Sequence, residues 1–155
     1  YLPLRRLAKS EVIPSNNDRF LRKDTLQGFV HDEASAFFGG LAGNAGLFST
    51  AREVARVYQM LLNGGEIDGR RYLSKETCQL FTTSVSKISR RGLGFDKPDR
   101  EDSKKGNCAW VDPVNELVYV FLSNRIYPDV TNRKLIRLHI RERIQEAIYD
   151  AMKKK

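Results

Sequence analysis

The chain's apolar positions show helical spacing first between Thr50 and Leu62, where they recur every three or four residues. This spacing predicts a helix with one buried face. Thr50 and Glu53 have the spacing of a capping box, and Asn63-Gly64-Gly65 predicts the helix end because glycine readily adopts the left-handed conformation. The apolar stripe of this helix comprises Val54, Val57, Tyr58, Leu61 and Leu62.

Shorter elements are predicted after this helix. Asp68-Gly69 has the composition of a tight turn, and Ser74 is a typical N-cap for a second, shorter helix. Gly92–Phe95 predicts a short strand. The following segment, Asp96–Asn107, is polar and charged, which is typical of a mobile loop.

The last third of the chain predicts a strand pair and a long helix. Ala109–Val111 and Leu117–Leu122 have the composition of strands, with a turn at Asp112–Asn115. Leu117–Leu122 is apolar at every position, and such a strand is typically covered on both faces of its sheet. A helix is predicted from Thr131 to Met152. Its apolar stripe, which we expect to pack on the sheet, comprises Ile136, Ile140, Ile144, Ala147, Ile148 and Ala151.

The first 38 residues lack comparable periodicity, since Pro3 and Pro14 interrupt it and Ser15–Asp18 predicts a turn. Helices followed by an antiparallel strand pair and a terminal helix indicate an α+β fold. We expect its sheet to be incomplete, because the apolar strand Leu117–Leu122 needs neighbours that the other predicted strands do not supply. Strands from an N-terminal segment outside this sequence, or from a second copy of the chain, are expected to complete it.

Composition excludes few functions. The chain has 155 residues and a formal net charge of +8, which is compatible with binding nucleic acid or an anionic surface. The charge is spread along the chain and is densest at Lys153–Lys155, which favours a solvated basic surface. No apolar run approaches the ~18 residues of a membrane span, and Tyr1–Ser10 lacks the pattern of a signal peptide.

The cysteines and histidines do not have the spacing of zinc ligands. Both cysteines are expected to be small buried apolar residues. We therefore predict neither a metal site nor a cofactor. The residues concerned are Cys78, Cys108, His31 and His139.

Six residue strings occur in a recognisable order: Val30–Ala34, Gly39–Thr50, Tyr58–Gly65, Arg91–Asp96, Trp110–Pro113 and Phe121–Arg125. Together they cover most of the chain and resemble the serine β-lactamase-like family, which includes class C β-lactamases, D-amino-acid peptidases and related esterases. The resemblance implies an antiparallel sheet built from strands of both chain ends, with helices on both faces and an all-helical region beside it. A partial β-lactamase/transpeptidase-like fold agrees with the incomplete sheet inferred above.

The resemblance also implies a serine nucleophile in a Ser-x-x-Lys motif, a second motif with tyrosine or serine, and a third motif that lines the cleft. Ser84–Lys87 matches the first motif in letters, but it follows the Gly39–Thr50 string, whereas the family's nucleophile precedes it. Ser15–Asn17 and Lys104–Gly106 resemble the other two motifs, in the wrong order or without the central hydroxyl. We assign no catalytic residue to this chain.

The third motif should directly precede the Trp110–Pro113 string, but here Asn107 is followed at once by Cys108. The strand is shorter than the resemblance implies. We therefore expect the natural protein to contain further residues between Asn107 and Cys108.

The candidate substrate-binding segment consists of Gly43, Asn44, Ala45 and Gly46. By the resemblance this loop lines one wall of the cleft, and Asn44 stands where related sequences often carry histidine. A tight packing loop, whose glycines let the next helix begin nearby, is an equal alternative. A phosphate cradle is disfavoured because neither dinucleotide-binding nor P-loop spacing is present. His31-Asp32 is either an orienting pair or, as we favour, part of a buried structural hydrogen bond.

The sequence thus predicts that residues 1–155 form the C-terminal portion of one β-lactamase-like domain, catalytically silent by itself. The parent would hydrolyse a β-lactam, a D-amino-acid peptide or an ester through an acyl-enzyme, in the bacterial periplasm or at the cell surface. Expected partners are the N-terminal portion of the domain or a second copy at the open sheet edge, with neither nucleic acid nor membrane insertion. The alternatives are a non-catalytic module fused to a cell-wall glycoside hydrolase and a basic nucleic-acid-binding domain.

Overall fold

A computed structural model describes residues 3–84, 86, 88–89, 91–96 and 109–153. It confirms an α+β chain with short helices and three two-stranded antiparallel sheets among these residues. Contacts divide the chain into two compact units. The first unit comprises the described residues of Tyr1–Thr50 and Ser123–Leu138, and the second comprises those of Ala51–Leu122 and His139–Lys155.

Several sequence predictions fall outside the described residues. They concern the polar segment beyond Asp96, the Lys104–Gly106 string, the junction of Asn107 with Cys108, the side chain of Cys108, and two of the four positions in Ser84–Lys87. Cys78 lies within the described part and is buried, as predicted.

The first unit begins with two turns of 3₁₀ helix, at Pro3–Arg5 and Lys9–Glu11, and continues as a hairpin of β1 (Pro14–Asp18) and β2 (Asp24–Gln27). The hairpin is antiparallel and carries a register shift between Pro14 and Asn16. A helix, α1 (Glu33–Phe37), follows, and α4 (Lys134–Arg137) closes the unit.

The turn predicted at Ser15–Asp18 is wrong, because these residues belong to β1. The Asn17 side chain is engaged across the fold: Thr25 Oγ1 donates to its carbonyl oxygen (2.8 Å), and its amide nitrogen donates to the Pro128 carbonyl (3.1 Å). The turn begins only at Asp18, whose carboxylate accepts the N–H groups of the residues that follow it.

The second unit begins with α2 (Ala51–Leu62), at the place where the apolar periodicity predicts a helix. Gly64 and Gly65 end it as predicted, with φ angles of +66° and +95° and hydrogen bonds to the carbonyls of the last turn. The capping box of Thr50 and Glu53 stays a prediction. The hairpin of β3 (Glu66–Ile67) and β4 (Arg70–Arg71) then turns at Asp68-Gly69, both at positive φ.

Ser74 caps α3 (Lys75–Thr82), since its hydroxyl accepts the N–H of Thr77 at 3.1 Å. This is the cap that the sequence predicts. Gly92–Phe95, by contrast, is not a strand: the Gly92 N–H donates to the Phe95 carbonyl (2.8 Å), and only isolated bridges form around it. A Cβ on Gly92 would stand 2.8 Å from the Thr83 carbonyl oxygen, so this glycine permits a close backbone approach.

The hairpin of β5 (Ala109–Asp112) and β6 (Leu117–Val120) confirms the predicted strand pair, with Trp110 opposite Tyr119 and their rings 3.9 Å apart. Helix α2 packs against both strands. Strand β6 ends at Val120, two residues before the predicted end, and its four residues are half-buried rather than fully covered. Within the described residues this sheet holds β5 and β6 alone.

The single terminal helix predicted from Thr131 to Met152 is wrong. The structure has α4 and, after an interruption at which His139 has a φ of +49°, a separate α5 (Ile140–Lys153). Ile136, the first residue of the predicted stripe, is 57% exposed. Among the described residues, no helix has the length and apolar composition that spanning a bilayer requires.

Helix α5 is joined to β5 by the Tyr149 hydroxyl, which donates to Asp112 Oδ2 at 2.7 Å. Burial and the neighbouring carboxylate raise the pKa of Tyr149, so the hydroxyl keeps its proton at neutral pH. Asp112 also accepts the Asn115 side-chain amide and the N–H groups of Val114 and Asn115, and its pKa is lowered.

We expect Tyr149→Phe to lower the free energy of unfolding by about 1 kcal/mol, because it removes one partly buried bond to a carboxylate. Urea denaturation followed by circular dichroism measures this change. Tyr72→Phe is the matched control, since Tyr72 is 56% exposed. Equal effects of the two substitutions would contradict the prediction.

Candidate functional site

The candidate site is the loop Gly39–Gly46, which leaves the C-terminus of α1. The N–H groups of Gly39 and Gly40 donate to the carbonyls of Ala36 (3.0 Å) and Ser35 (2.8 Å), and both glycines have positive φ, at +78° and +82°. These bonds end the helix and turn the chain sharply. Further along, the Ala42 N–H donates to the Ala45 carbonyl at 3.0 Å, which closes the loop on itself.

Gly46 ends the loop in a position that no other residue fits. Its φ is +133°, and a Cβ built on it would lie 2.6 Å from the Gly40 carbonyl oxygen and 3.1 Å from Leu41 Cα. Both neighbours are backbone atoms, which cannot move aside without reshaping the loop. The close backbone packing at Gly46 is what the alternative interpretation, a tight packing loop, expects. At Gly43, in contrast, a Cβ would meet nothing within 4 Å.

Asn44 is held by two side chains at the start of α1, and we call Asp32, Ser35 and Asn44 the Asn44 cluster. Ser35 Oγ donates to Asn44 Oδ1 (3.0 Å), and Asn44 Nδ2 donates to Asp32 Oδ1 (3.1 Å). A third hydrogen bond joins Ser35 to Asp32: Asp32 is the N-cap of α1, and its Oδ1 accepts the Ser35 N–H at 2.7 Å. Ser35 is fully buried, so its hydroxyl has exchanged water for this amide.

The electrostatics of the Asn44 cluster favour an ionised Asp32. The Ser35 N–H and then the Asn44 amide lower the pKa of Asp32, and the nearby His31 acts in the same direction. Asp32 is thus a structural N-cap, as the favoured interpretation expected of the aspartate, but it is half-buried and His31 is exposed, so this is not the buried hydrogen bond expected of the pair.

A second polar group supports the backbone that enters α1, and we call it the Arg22 clamp. Arg22 Nε pairs with Asp18 Oδ2 at 2.7 Å, while its two terminal nitrogens donate to the carbonyls of Val30 and His31, each at 2.8 Å. The hydrogen bond from Arg22, together with backbone N–H groups, lowers the pKa of Asp18 to about 2. The clamp fixes the backbone immediately before Asp32.

The predicted site residues are placed as follows. Gly43 and Asn44 are exposed, whereas Ala45 and Gly46 are half-buried. The Asn44 side chain is directed onto α1. The assignment of these four residues to a substrate-binding wall stays a prediction.

Sequence reasoning missed Ser35, Asp18 and Arg22. Ser35 lies three residues after Asp32, which is the spacing of a helix N-cap and its first-turn partner, so this signal was available. The pairing of Arg22 with two carbonyls had no local signal, because eight and nine residues separate the partners.

Asn124 and Arg125, the last residues of the Phe121–Arg125 string, lie beyond β6 and belong to the first unit. Asn124 Nδ2 donates to the Pro14 carbonyl at 2.6 Å, and its oxygen accepts two backbone N–H groups of the next turn. Arg125 donates to the Val130 carbonyl at 3.3 Å. Both side chains therefore hold the backbone of the first unit by hydrogen bonds.

No cluster of three or more histidine, cysteine, aspartate or glutamate side chains in the described part of the chain is arranged to hold a metal ion. Ser15–Asn17, the weak match to the second motif, lies in β1.

A family model described as Beta-lactamase matches residues 6–141 of the chain. The chain is 32% identical over 130 residues to a protein of Escherichia coli (strain K12) named "Putative D-alanyl-D-alanine carboxypeptidase", covering 72% of this chain and 30% of that protein. Proteins of the same name from Salmonella agona (strain SL483) and Salmonella typhi are 31% identical over 133 residues, which is 74% of this chain and 31% of each relative. The chain thus spans about a third of the curated relatives it matches, and no solved structure matches it.

Proposed function

Because the chain belongs to the β-lactamase family, we propose that it is the C-terminal portion of a serine hydrolase domain in a longer protein. The complete protein would act on a β-lactam, a D-amino-acid peptide or an ester through an acyl-enzyme. The chain contributes the β5–β6 hairpin, the Gly39–Gly46 loop as one wall of the cleft, and α5. The nucleophile belongs to the remaining portion, so the chain alone is catalytically silent.

The exposure of large apolar side chains around the Gly39–Gly46 loop carries this proposal. Phe37 is 82% exposed, Phe38 76% and Leu47 86%, and all three flank the loop. Side chains of this size are normally buried in a finished domain, where each stabilises the fold by roughly 1.5–3 kcal/mol. We expect the N-terminal portion of the domain to cover them.

The small core of the described residues supports the same conclusion. Its buried apolar side chains are those of Val12, Leu26, Val30 and Cys78. A domain of roughly 150 residues ordinarily buries about two thirds of the surface of its unfolded chain. The relatives are about three times as long as the region they share with this chain, which leaves ample sequence to complete the core.

The relatives' printed name supports a choice among the substrates. It describes a carboxypeptidase acting on D-alanyl-D-alanine, and we propose a peptide of that class as the substrate. Such a substrate would place the complete protein in the bacterial cell envelope, in the periplasm or at the cell surface.

Acylation by a fluorescent penicillin tests the proposal directly. We expect the full-length protein to be labelled covalently and to release D-alanine from a D-alanyl-D-alanine peptide, whereas the 155-residue chain does neither. Ser84→Ala in the full-length protein is the matched control and should leave labelling unchanged, because Ser84 is not the nucleophile.

Three results would count against this function. Labelling of the 155-residue chain that disappears in Ser84→Ala would place the nucleophile here. A full-length protein that is never labelled would favour the non-catalytic module. Salt-dependent binding of the chain to DNA would favour the nucleic-acid-binding alternative, although part of the positive charge is already paired, as in Arg56 with Asp68 and Arg71 with Glu66.

A further inference from the structure

We propose that Asn44 is a positioning residue, which fixes the Gly39–Gly46 loop by bridging Asp32 and Ser35 and does not itself contact the substrate. Among Gly43, Asn44, Ala45 and Gly46 it is the one residue with a polar side chain, and that side chain faces α1. The link from loop position to catalysis rests on the proposed function, whereas the bridge itself does not.

An amide suits this bridge because it offers a donor and an acceptor on one short side chain. Asn44 Oδ1 accepts from Ser35 Oγ, and Nδ2 donates to Asp32 Oδ1. Alanine supplies neither group, so it would leave the fully buried Ser35 hydroxyl without this acceptor. Aspartate keeps the shape but replaces the donor by a second carboxylate, directly opposite Asp32.

The bridge ties the central part of the loop to α1, whereas the backbone bond in that part, from the Ala42 N–H to the Ala45 carbonyl, stays within the loop. The N–H groups of Gly39 and Gly40 are bonded to carbonyls of α1, and the Gly46 backbone packs closely against that of Gly40. Between them Gly43 has open space around its Cα, so Asn44 supplies the side-chain anchor of the central segment.

Protonation of Asp32 gives the proposal a signature that a general structural role would not produce. The groups acting on its carboxylate are the Ser35 N–H and hydroxyl, the Asn44 amide and the His31 imidazole. In the native chain the carboxylate is ionised above its lowered pKa, so the bridge is intact at neutral pH and weakens only in stronger acid. In Asn44→Asp two facing carboxylates repel each other at neutral pH and share a proton when the solution is acidified.

Hydrogen exchange followed by mass spectrometry on the 155-residue chain tests this, with rates corrected for the intrinsic effect of pH. We expect Asn44→Ala to lose on the order of tenfold protection at the Ala42 amide, which donates to the Ala45 carbonyl inside the loop, at every pH. Asn44→Asp should lose as much at neutral pH and regain most of it at about pH 4.5. Peptides of α2 provide the internal reference, and Asn132→Asp, at an exposed asparagine whose oxygen accepts the Lys134 N–H, controls for the added charge.

Unchanged protection in Asn44→Ala, or an Asn44→Asp variant that does not recover in acid, would overturn the proposal. Penicillin labelling of the full-length protein is measured separately. If penicillin labels the full-length protein but Asn44→Ala leaves the exchange protection of the loop unchanged, the positioning role is refuted and the proposed function is not. Loss and recovery of loop protection without labelling would refute the proposed function and leave the bridge in place.

Discussion

Replacing Gly46 by alanine is expected to destabilise the first unit by about 3 kcal/mol. Two costs add. A φ of +133° is a conformation that residues with a Cβ rarely adopt, and the new Cβ would stand 2.6 Å from the Gly40 carbonyl oxygen. Because that oxygen belongs to the backbone of the same loop, relief requires the loop to open. Chemical denaturation gives the loss of stability, and hydrogen exchange shows whether the loop amides open first.

Gly39→Ala separates these two costs. Gly39 has a φ of +78°, but a Cβ there meets nothing within 4 Å. We therefore expect a loss of about 1 kcal/mol, from the backbone conformation alone. If the two alanine variants were equally stable, the clash of the new Cβ with the Gly40 carbonyl would not add to the loss of stability at Gly46.

The elements that sequence reasoning predicted correctly are those decided by neighbouring residues. Ser74 caps α3 through an N–H three residues away, and Gly64 and Gly65 end α2 through carbonyls of its own last turn. Neither interaction depends on the rest of the fold. The β5–β6 hairpin is similar, since its two strands are joined by a four-residue turn.

The elements that were predicted wrongly depend on distant partners, or on a change of backbone conformation at a residue whose type does not indicate it. Ser15–Asp18 has turn composition, yet pairing with β2 and a bond from Asn17 to the Pro128 carbonyl hold it extended. His139 interrupts the terminal helix without a glycine or proline to mark the place. A periodic apolar stripe continues through such a break unaltered, so it gives no warning.

In the candidate loop, too, the local features were predictable and those that depend on distant residues were not. Its glycines are visible in the sequence, and the structure gives Gly39, Gly40 and Gly46 positive φ. The direction of the Asn44 side chain was not predictable, because its partners lie nine and twelve residues away. The sequence locates the loop, and tertiary contacts determine which side of it meets solvent.

The largest effect outside the loop is expected from Arg22→Met, which removes the centre of the Arg22 clamp. Methionine keeps much of the apolar stem but leaves the Asp18 carboxylate and two backbone carbonyls without their donor. These are charge-assisted or partly buried bonds, and losing several together should reduce exchange protection in residues 24–36 on the order of a hundredfold. Arg19→Met, at an exposed neighbouring position, is the control and should change little.

Acidification should destabilise the native chain more than the Arg22→Met variant. The folded pKa of Asp18, about 2, lies below the ordinary value of 3.8, so its ionised form stabilises the fold above about pH 4. That contribution is lost as the pH falls from 3.8 towards 2. Arg22→Met removes the main cause of the lowered pKa, so the variant should start less stable at neutral pH and lose less on acidification.

Arg22→Lys distinguishes the charge from the geometry of the clamp. Lysine retains a positive charge for Asp18 but lacks the planar fork that reaches the Val30 and His31 carbonyls together. We expect it to keep most of the acid sensitivity while losing protection in residues 30–36. Denaturation midpoints at neutral pH and at about pH 3, compared for the native chain and both variants, measure the two effects separately. Identical acid sensitivity in Arg22→Met and the native chain would mean that Arg22 does not control the ionisation of Asp18.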